Sequence, residues 1–141
     1  MSPARTQKGH DIVPTVTIEI RKKYTQEEEC NLINCVHQAM MNALKTPEWD
    51  KNIRLIVHEP HRFTGPPNKT DKYTLISFDM FSGRSIEAKR ELYKLLVASL
   101  EAFGIPKDDT LIVLREHRAE NWGIQGGLPA SEVDIGFSIN V

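Results

Sequence analysis

The sequence predicts an α/β (α+β) protein made of two tandem βαβ units, whose four strands form one sheet with two helices on one face. Three observations predict this fold. The length of 141 residues suits a single domain, the order strand, helix, strand occurs twice, and matching signals recur at spacings of 60 and 59 residues. A strand, helix, strand unit closes as a right-handed crossover between parallel strands, so the repeat gives two such units.

The first unit begins where Pro14 precedes an alternating run from Thr15 to Ile20, which is typical of a strand. A helical pattern covers Gln26 to Leu44, with Thr25 as its N-cap, and a second strand covers Ile53 to His58. The predicted apolar stripe of this helix consists of Cys30, Ile33, His37, Met40 and Leu44.

The second unit follows the same order. A strand is predicted from Tyr73 to Met80, a helix from Ile86 to Phe103 with Ser85 as N-cap, and a strand from Thr110 to Arg115. Its predicted apolar stripe consists of Ala88, Leu92, Leu95, Leu96 and Phe103. After each helix, a proline precedes an aspartate in the same way: Pro47 and Asp50 in the first unit, Pro106 and Asp109 in the second.

These elements predict an N-terminal extension over residues 1–13 and one domain over 14–141, with repeats at 14–59 and 73–117 and a tail at 118–141. The stretch "EPHRFTGPPNKTDK" between the repeats is rich in Pro and Gly and predicts a surface loop. The tail has a glycine turn followed by an alternation, which predicts a C-terminal strand or hairpin. The alternating residues are Val133, Ile135, Phe137 and Ile139.

Composition excludes several classes of function. The 18 basic residues nearly balance the 19 acidic ones, so no basic field favours nucleic acid as a partner. No apolar run approaches the roughly 18 residues that a membrane span needs. The two cysteines, Cys30 and Cys35, lie five apart in a helical pattern, which favours a reduced, cytoplasmic setting.

The strands carry apolar residues on both faces, whereas two helices can cover only one. Leu55 and Val57 alternate with Ile56, and Leu111 and Val113 alternate with further aliphatic residues. The second face therefore predicts self-association through the sheet, and hence an oligomer.

A resemblance follows from these residues taken together. A proline heading a strand, the repeated βαβ unit, "FSGRSIEAKRELYKLL" and the closing "ENWGIQGGLPASEVDIGF" resemble the tautomerase superfamily. The likeness is to its fused two-repeat members, of the malonate semialdehyde decarboxylase and 4-oxalocrotonate tautomerase kinds. The resemblance implies a homotrimer that acts on small oxo or enol carboxylates through an amino-terminal proline, which is Pro14 here.

The resemblance also implies roles for three further residues. Arg84 matches an arginine that binds the substrate carboxylate, Asp50 matches an acidic residue used beside the proline, and Trp122 matches an aromatic wall of the pocket. Each residue has another interpretation. Arg84 could be a solvated arginine in a loop, and Asp50 could be a turn residue like its repeat partner Asp109. Trp122 could be a packing or interface residue. The family's decarboxylases carry two arginines near this point, but the second is missing here, which puts tautomerisation ahead of hydration and dehalogenation.

No cofactor or metal is expected. His37 lies on the apolar stripe of the first helix and is predicted to be a hydrogen-bonded core histidine. His58 and His61 form "HEPH", in which Pro60 prevents the helical arrangement of a two-histidine zinc site. The stretch "GIQGG" lacks the strand and helix that a phosphate-binding loop requires.

The nitrogen of Pro14 decides between enzyme and binding protein. Attached to Val13, it is a tertiary amide without a basic lone pair. Three explanations stay open: residues 1–13 are removed by proteolysis, translation starts at position 13, or the chain is a non-catalytic trimeric protein that binds ligands or partners. With Pro14 exposed, the sequence predicts a tautomerase of small 2-oxo or enol carboxylates, with decarboxylation as a side activity.

Overall fold

The computed structural model describes residues 14–134, which form two consecutive βαβ units. The first consists of β1 (Thr15–Ile20), α1 (Gln26–Leu44) and β2 (Ile53–Val57), and the second of β3 (Thr74–Phe81), α2 (Ile86–Phe103) and β4 (Thr110–His117). β1 and both helices have the predicted bounds. β2 ends one residue early, β3 is shifted by one residue, and β4 continues two residues beyond the predicted Arg115.

The tail begins with single-turn 3₁₀ segments and a short hairpin, β5 (Gly123–Ile124) and β6 (Leu128–Pro129), whose turn contains the predicted glycines. The predicted alternation from Val133 falls mostly on residues 135–141, which lie outside the described residues, as does the predicted extension over 1–13. Val133 itself lies in a bend rather than a strand.

The four long strands form one mixed sheet in the order β2-β1-β3-β4. Strands within each unit are parallel, and the two units join through antiparallel pairing of β1 with β3. Thr17 pairs with Ser77 at the centre of this junction, and the two residues are 60 apart, which is the repeat spacing. An approximate two-fold relation therefore carries each residue of one unit onto its equivalent at the opposite end of the sheet.

Both helices begin at the predicted hydroxyl caps. Thr25 accepts from the Glu28 amide and the Glu28 carboxylate accepts from the Thr25 amide, while Ser85 accepts from the Ala88 amide. α1 ends at Lys45 with φ 59, and α2 ends at Gly104 with φ 120.

The predicted stripe of α1 is partly wrong. Cys30 is exposed and Ile33 only partly buried, whereas the buried face includes Leu32, Val36 and Ala39. The buried face is therefore rotated toward Leu32 and Val36, away from Cys30. The predicted stripe of α2 is largely confirmed: Ala88, Leu92 and Leu96 are buried, and Leu95 and Phe103 are partly buried against the core. The prediction missed Leu100, which is fully buried.

The helices cover the sheet face that carries Val16, Ile18 and Ile76. We call the other side the open face; its side chains come from Thr15, Thr17, Glu19, Arg54, Ile56, Leu75, Ser77, Asp79, Leu111, Val113, Arg115 and His117. Ile56, Leu111 and Val113 are 41%, 46% and 37% exposed there, so the predicted second apolar surface is present. Within residues 14–134, neither helix is apolar enough over sufficient length to cross a membrane.

Candidate active site

One end of the sheet, which we call the Pro14 end, brings most of the predicted site residues into the same region. Pro14 is buried and leads into Thr15, which pairs with Asp79 near the end of β3. On the other side of β1, the Val16 amide donates to the Asn52 carbonyl at 2.9 Å. The start of β1 therefore lies between the segment that carries Asp50 and the end of β3, from which the chain continues to Arg84.

Arg84 is buried, with 7% of its surface exposed. Its Nη1 donates to the Leu44 carbonyl at 2.8 Å at the end of α1, and its Nε has no hydrogen-bond partner in the part of the chain that the structure describes. Burial lowers the pKa of the guanidinium, and the charge of Asp50 opposes this effect. The interpretation of Arg84 as a solvated loop residue is therefore wrong, because the side chain is held inside the protein with a donor unused.

Asp50 is buried beside this arginine, with 3% of its surface exposed. Burial raises the pKa of its carboxyl to about 8, although the Arg84 charge lowers it. A carboxyl with this pKa keeps its proton to a higher pH than an ordinary aspartate and so balances the Arg84 charge less. Its Oδ2 also has no partner among residues 14–134. A buried cation with an unused donor, beside a carboxyl of raised pKa, is suited to binding an anion.

The repeat equivalent of Asp50 has a different environment. Asp109 is 1% exposed, and its carboxylate accepts from the Thr70 amide at 3.0 Å and from the Thr70 hydroxyl. Tyr24 lies at the position equivalent to Arg84; burial, followed by the charges of Asp71, Glu28 and Asp109, raises its pKa to about 12. Both aspartates lie in the same turn, since the Asp50 and Asp109 amides donate to the Pro47 and Pro106 carbonyls at 3.1 and 2.9 Å. Their carboxyls differ, because Thr70 donates to Asp109.

Trp122 lies near Pro14 but on the open face. Its ring contacts Phe81 and His117 edge-on, with centroids 5.7 and 5.6 Å apart. It lines a depression of about 280 Å³ together with Thr15, Asp79, His117 and Asn121. Its Nε1 is buried and has no partner within the described range. The structure thus places Asp50 and Arg84 together and puts Trp122 in a depression on the other side of the strand that Pro14 begins.

Two residues of this depression, Asp79 and His117, were not predicted from the sequence. Asp79 accepts from Arg115 Nε and Nη2 at 2.9 and 3.0 Å and lies 3.0 Å from His117 Nε2. The sequence signal for them was the repeat, because an acid and a histidine also occur 60 and 59 residues earlier, as Glu19 and His58. In the structure these two residues form the same kind of pair at 2.9 Å.

His37 is buried as predicted, with 6% exposed. Burial, followed by the Lys51 charge, lowers its pKa, and a hydrogen bond with the Glu48 backbone acts in the opposite direction. Its Nε2 has no partner in the described region, so the predicted satisfaction by hydrogen bonding is incomplete. A search of residues 14–134 finds no cluster of three metal-ligating side chains.

The two-repeat βαβ fold and the buried Asp50–Arg84 site define a class of small α/β proteins equipped for acid–base chemistry on anions. The chain belongs to the tautomerase family, because residues 50–125 match the family model described as tautomerase enzyme. The resemblance and the fold class predicted from the sequence are thereby confirmed.

Individual proteins that are similar to this chain support the same family. The probable tautomerase YusQ of Bacillus subtilis (strain 168) is 26% identical over 121 residues, which cover 82% of this chain and 95% of YusQ. The structure of malonate semialdehyde decarboxylase superposes with a TM-score of 0.75 at 25% identity and covers 81% of this chain and 92% of the decarboxylase. A fused 4-OT that forms an asymmetric trimer has a TM-score of 0.70 at 22% identity, with coverage of 84% and 97%.

Family membership gives the chain a function of the general tautomerase and decarboxylase type.

Proposed function

We propose that this protein is a keto–enol tautomerase of small 2-oxo and enol carboxylates, with Pro14 as the proton carrier once its nitrogen is a free amine. The observation that carries this proposal is the buried Arg84 guanidinium with an unpartnered Nε, beside a buried Asp50 whose raised pKa keeps it from fully balancing that charge. Such a site has an unneutralised positive charge, which a substrate carboxylate would balance.

The free amine of an amino-terminal residue titrates near 7.7 to 8.0, and an apolar surrounding lowers this pKa further. Pro14 is buried at the start of β1, so its amine, once free, is expected to be neutral and basic at pH 7. It takes the proton from the enol hydroxyl, the oxygen electrons form the carbonyl, and the carbon–carbon double bond accepts the proton at the adjacent carbon. The amine returns to its initial state.

Other residues bind and orient the substrate in this proposal. Arg84 binds the carboxylate and stabilises negative charge on the enolate oxygen. The Asp50 carboxyl, whose raised pKa favours its protonated form, donates its proton in a hydrogen bond to the same oxygen. The predicted role of Trp122 as an aromatic wall of this pocket stays a prediction, because its ring packs on Phe81 and His117 on the other side of β1.

A decarboxylase side activity is supported by the same acid and by the fold shared with malonate semialdehyde decarboxylase. In this reaction the bond to the carboxylate carbon breaks, carbon dioxide leaves, and the electron pair enters an enolate that Asp50 or Pro14 reprotonates. The single arginine of this site, Arg84, favours tautomerisation as the main activity.

We propose further that the protein is a homotrimer joined through its open faces. Exposed Ile56, Leu111 and Val113 on that face support this assembly, as do the trimers formed by fused 4-OT relatives.

The test compares the full chain with a chain that begins at Pro14, using ketonisation of phenylenolpyruvate. We expect the shorter chain to be active and Arg84→Ala within it to lose about 100-fold in kcat/KM. Tyr24→Ala is the matched control, because Tyr24 occupies the equivalent position in the first repeat. Inactivity of the shorter chain would instead favour a non-catalytic trimeric protein that binds a ligand or partner.

A further inference from the structure

A carboxylate and an imidazole form a pair on the open face at the Pro14 end. His117 Nε2 lies 3.0 Å from Asp79 Oδ1, and Arg115 donates two hydrogen bonds to the same carboxylate. The Arg115 hydrogen bond is the main reason that the pKa of Asp79 is held at about 2. An ionised carboxylate accepts the Nε2 proton, which assigns the neutral tautomer and leaves Nδ1 as the basic nitrogen of His117.

This pair lines an open depression that has an aromatic ring on one side. The depression of about 280 Å³ also includes Thr15, Asn121 and Trp122. The Trp122 indole offers an apolar wall, and its buried Nε1 is a donor without a partner among the described residues.

We infer that His117 and Asp79 form a second proton-transfer site, in which His117 exchanges a proton with a small enol or 2-oxo acid bound against Trp122. The inference rests on the proposed function for its substrate class. It requires no free amino terminus, whereas the Pro14 nitrogen remains an amide as long as residue 13 is attached.

The proposed step is balanced within the substrate. His117 Nδ1 takes the enol hydroxyl proton, and the electrons of that O–H bond form the carbonyl. The carbon–carbon double bond then takes the same proton from the imidazolium at the adjacent carbon. Asp79 stays ionised throughout and orients the ring through its hydrogen bond with Nε2. His117 is therefore the catalytic residue, and Asp79 is a positioning residue.

The chain supplies a matched control at the opposite end of the sheet. His58 and Glu19 are the repeat equivalents of His117 and Asp79 and form the same bond at 2.9 Å. There, however, the ring of Phe63 packs on His58, with centroids 5.3 Å apart. Phe63 in turn packs on Tyr73, with centroids 5.2 Å apart. This pair has the chemistry of the proposed site, but a loop occupies the neighbouring space.

The experiment uses the full chain, with residues 1–13 attached, and measures ketonisation of phenylenolpyruvate. Gln keeps an amide donor for the carboxylate but cannot exchange a proton at neutral pH. We expect the full chain to be active, His117→Gln to lower kcat about 100-fold with KM nearly unchanged, and His58→Gln to have little effect. Size-exclusion chromatography and thermal melting check the assembly and folding of each variant.

The inference is overturned if the full chain is inactive, or if His117→Gln and His58→Gln have equal effects. If His117→Gln alters folding or assembly, imidazole added to His117→Ala decides: recovered activity supports the inference, and its absence overturns it. The proposed function fails separately, when the chain that begins at Pro14 is inactive or insensitive to Arg84→Ala.

Discussion

The contrast between Asp50 and Asp109 shows how the environment changes the chemistry of one residue type. Both side chains are nearly inaccessible, at 3% and 1% exposed. The Asp109 carboxylate accepts two hydrogen bonds from Thr70, whereas Asp50 has a buried oxygen without a partner within residues 14–134. A buried unsatisfied carboxyl is costly for folding, so its presence favours a functional role.

Asp50→Asn, made in the chain that begins at Pro14, tests this role. We expect kcat for phenylenolpyruvate ketonisation to fall about 100-fold, because the amide cannot transfer a proton. Asp109→Asn is the control and should keep its activity. A fully active Asp50→Asn variant would show that the carboxyl takes no part in the reaction.

The raised pKa of Asp50 also predicts how stability depends on pH. Its pKa is about 8 in the folded protein against 3.8 for an ordinary carboxyl, so the folded state holds a proton that the unfolded chain has released between these values. The stabilisation is complete below pH 3.8 and is lost as pH rises through 8. We expect the Tm of the wild type to fall between pH 5 and 9 relative to that of Asp50→Asn. Parallel melting curves across this range would contradict the assigned pKa.

At the scale of elements, the loop between the repeats makes the two ends of the sheet different. Arg21 donates to the Phe63 and Thr70 carbonyls at 2.7 Å each, and Thr70 donates to Asp109. The loop thus fills the end that is equivalent to the candidate site. At that end Tyr24 replaces the arginine and Thr70 donates to the aspartate. One candidate site is therefore expected from two repeats, and it lies at the Pro14 end.

Thr70→Val tests whether this loop contact is structural. Loss of the hydroxyl should lower the free energy of unfolding by about 1–2 kcal/mol, because one oxygen of the buried Asp109 loses its donor. Denaturant unfolding of Thr70→Val, Asp109→Asn and the double variant measures the coupling between the two residues. Strictly additive effects would show that the Thr70–Asp109 contact contributes little.

For the whole molecule, the open face is the proposed interface between subunits. Aliphatic side chains on it are exposed in the single chain, although burial of such side chains is favourable. The polar cluster of Asp79, Arg115 and His117 lies on the same face near the Pro14 end. Association through this face would bring the depression of one subunit close to the next subunit.

Val113→Lys tests the assembly. A lysine on the open face should convert the trimer to monomers in sedimentation analysis, because burial of an unpaired charge is costly. Tyr93→Lys is the matched control, because both positions are 37% exposed and Tyr93 lies on α2, on the other side of the sheet. Unchanged sedimentation of Val113→Lys would show that the interface lies elsewhere.

The sequence by itself determined the elements of this protein. The bounds of β1 and both helices, the caps Thr25 and Ser85, and the repeat itself were predicted correctly. Hydrophobic periodicity and helix capping depend on residues a few positions apart, so they can be read from the chain. The same signals placed part of the α1 stripe wrongly: Leu32, Val36 and Ala39 face the core, and Cys30 is exposed.

Only the tertiary structure decided which of the equivalent residues are available for chemistry. The repeat makes Asp50 and Asp109 alike in sequence. Their hydrogen bonding differs because Thr70, which lies 39 residues from Asp109 in the chain, donates to Asp109 and not to Asp50. The pairing of Asp79 with His117 likewise depends on strand register across 38 residues. Burial and long-range partners set the charge and hydrogen bonding of each group, and these depend on the packing of distant segments.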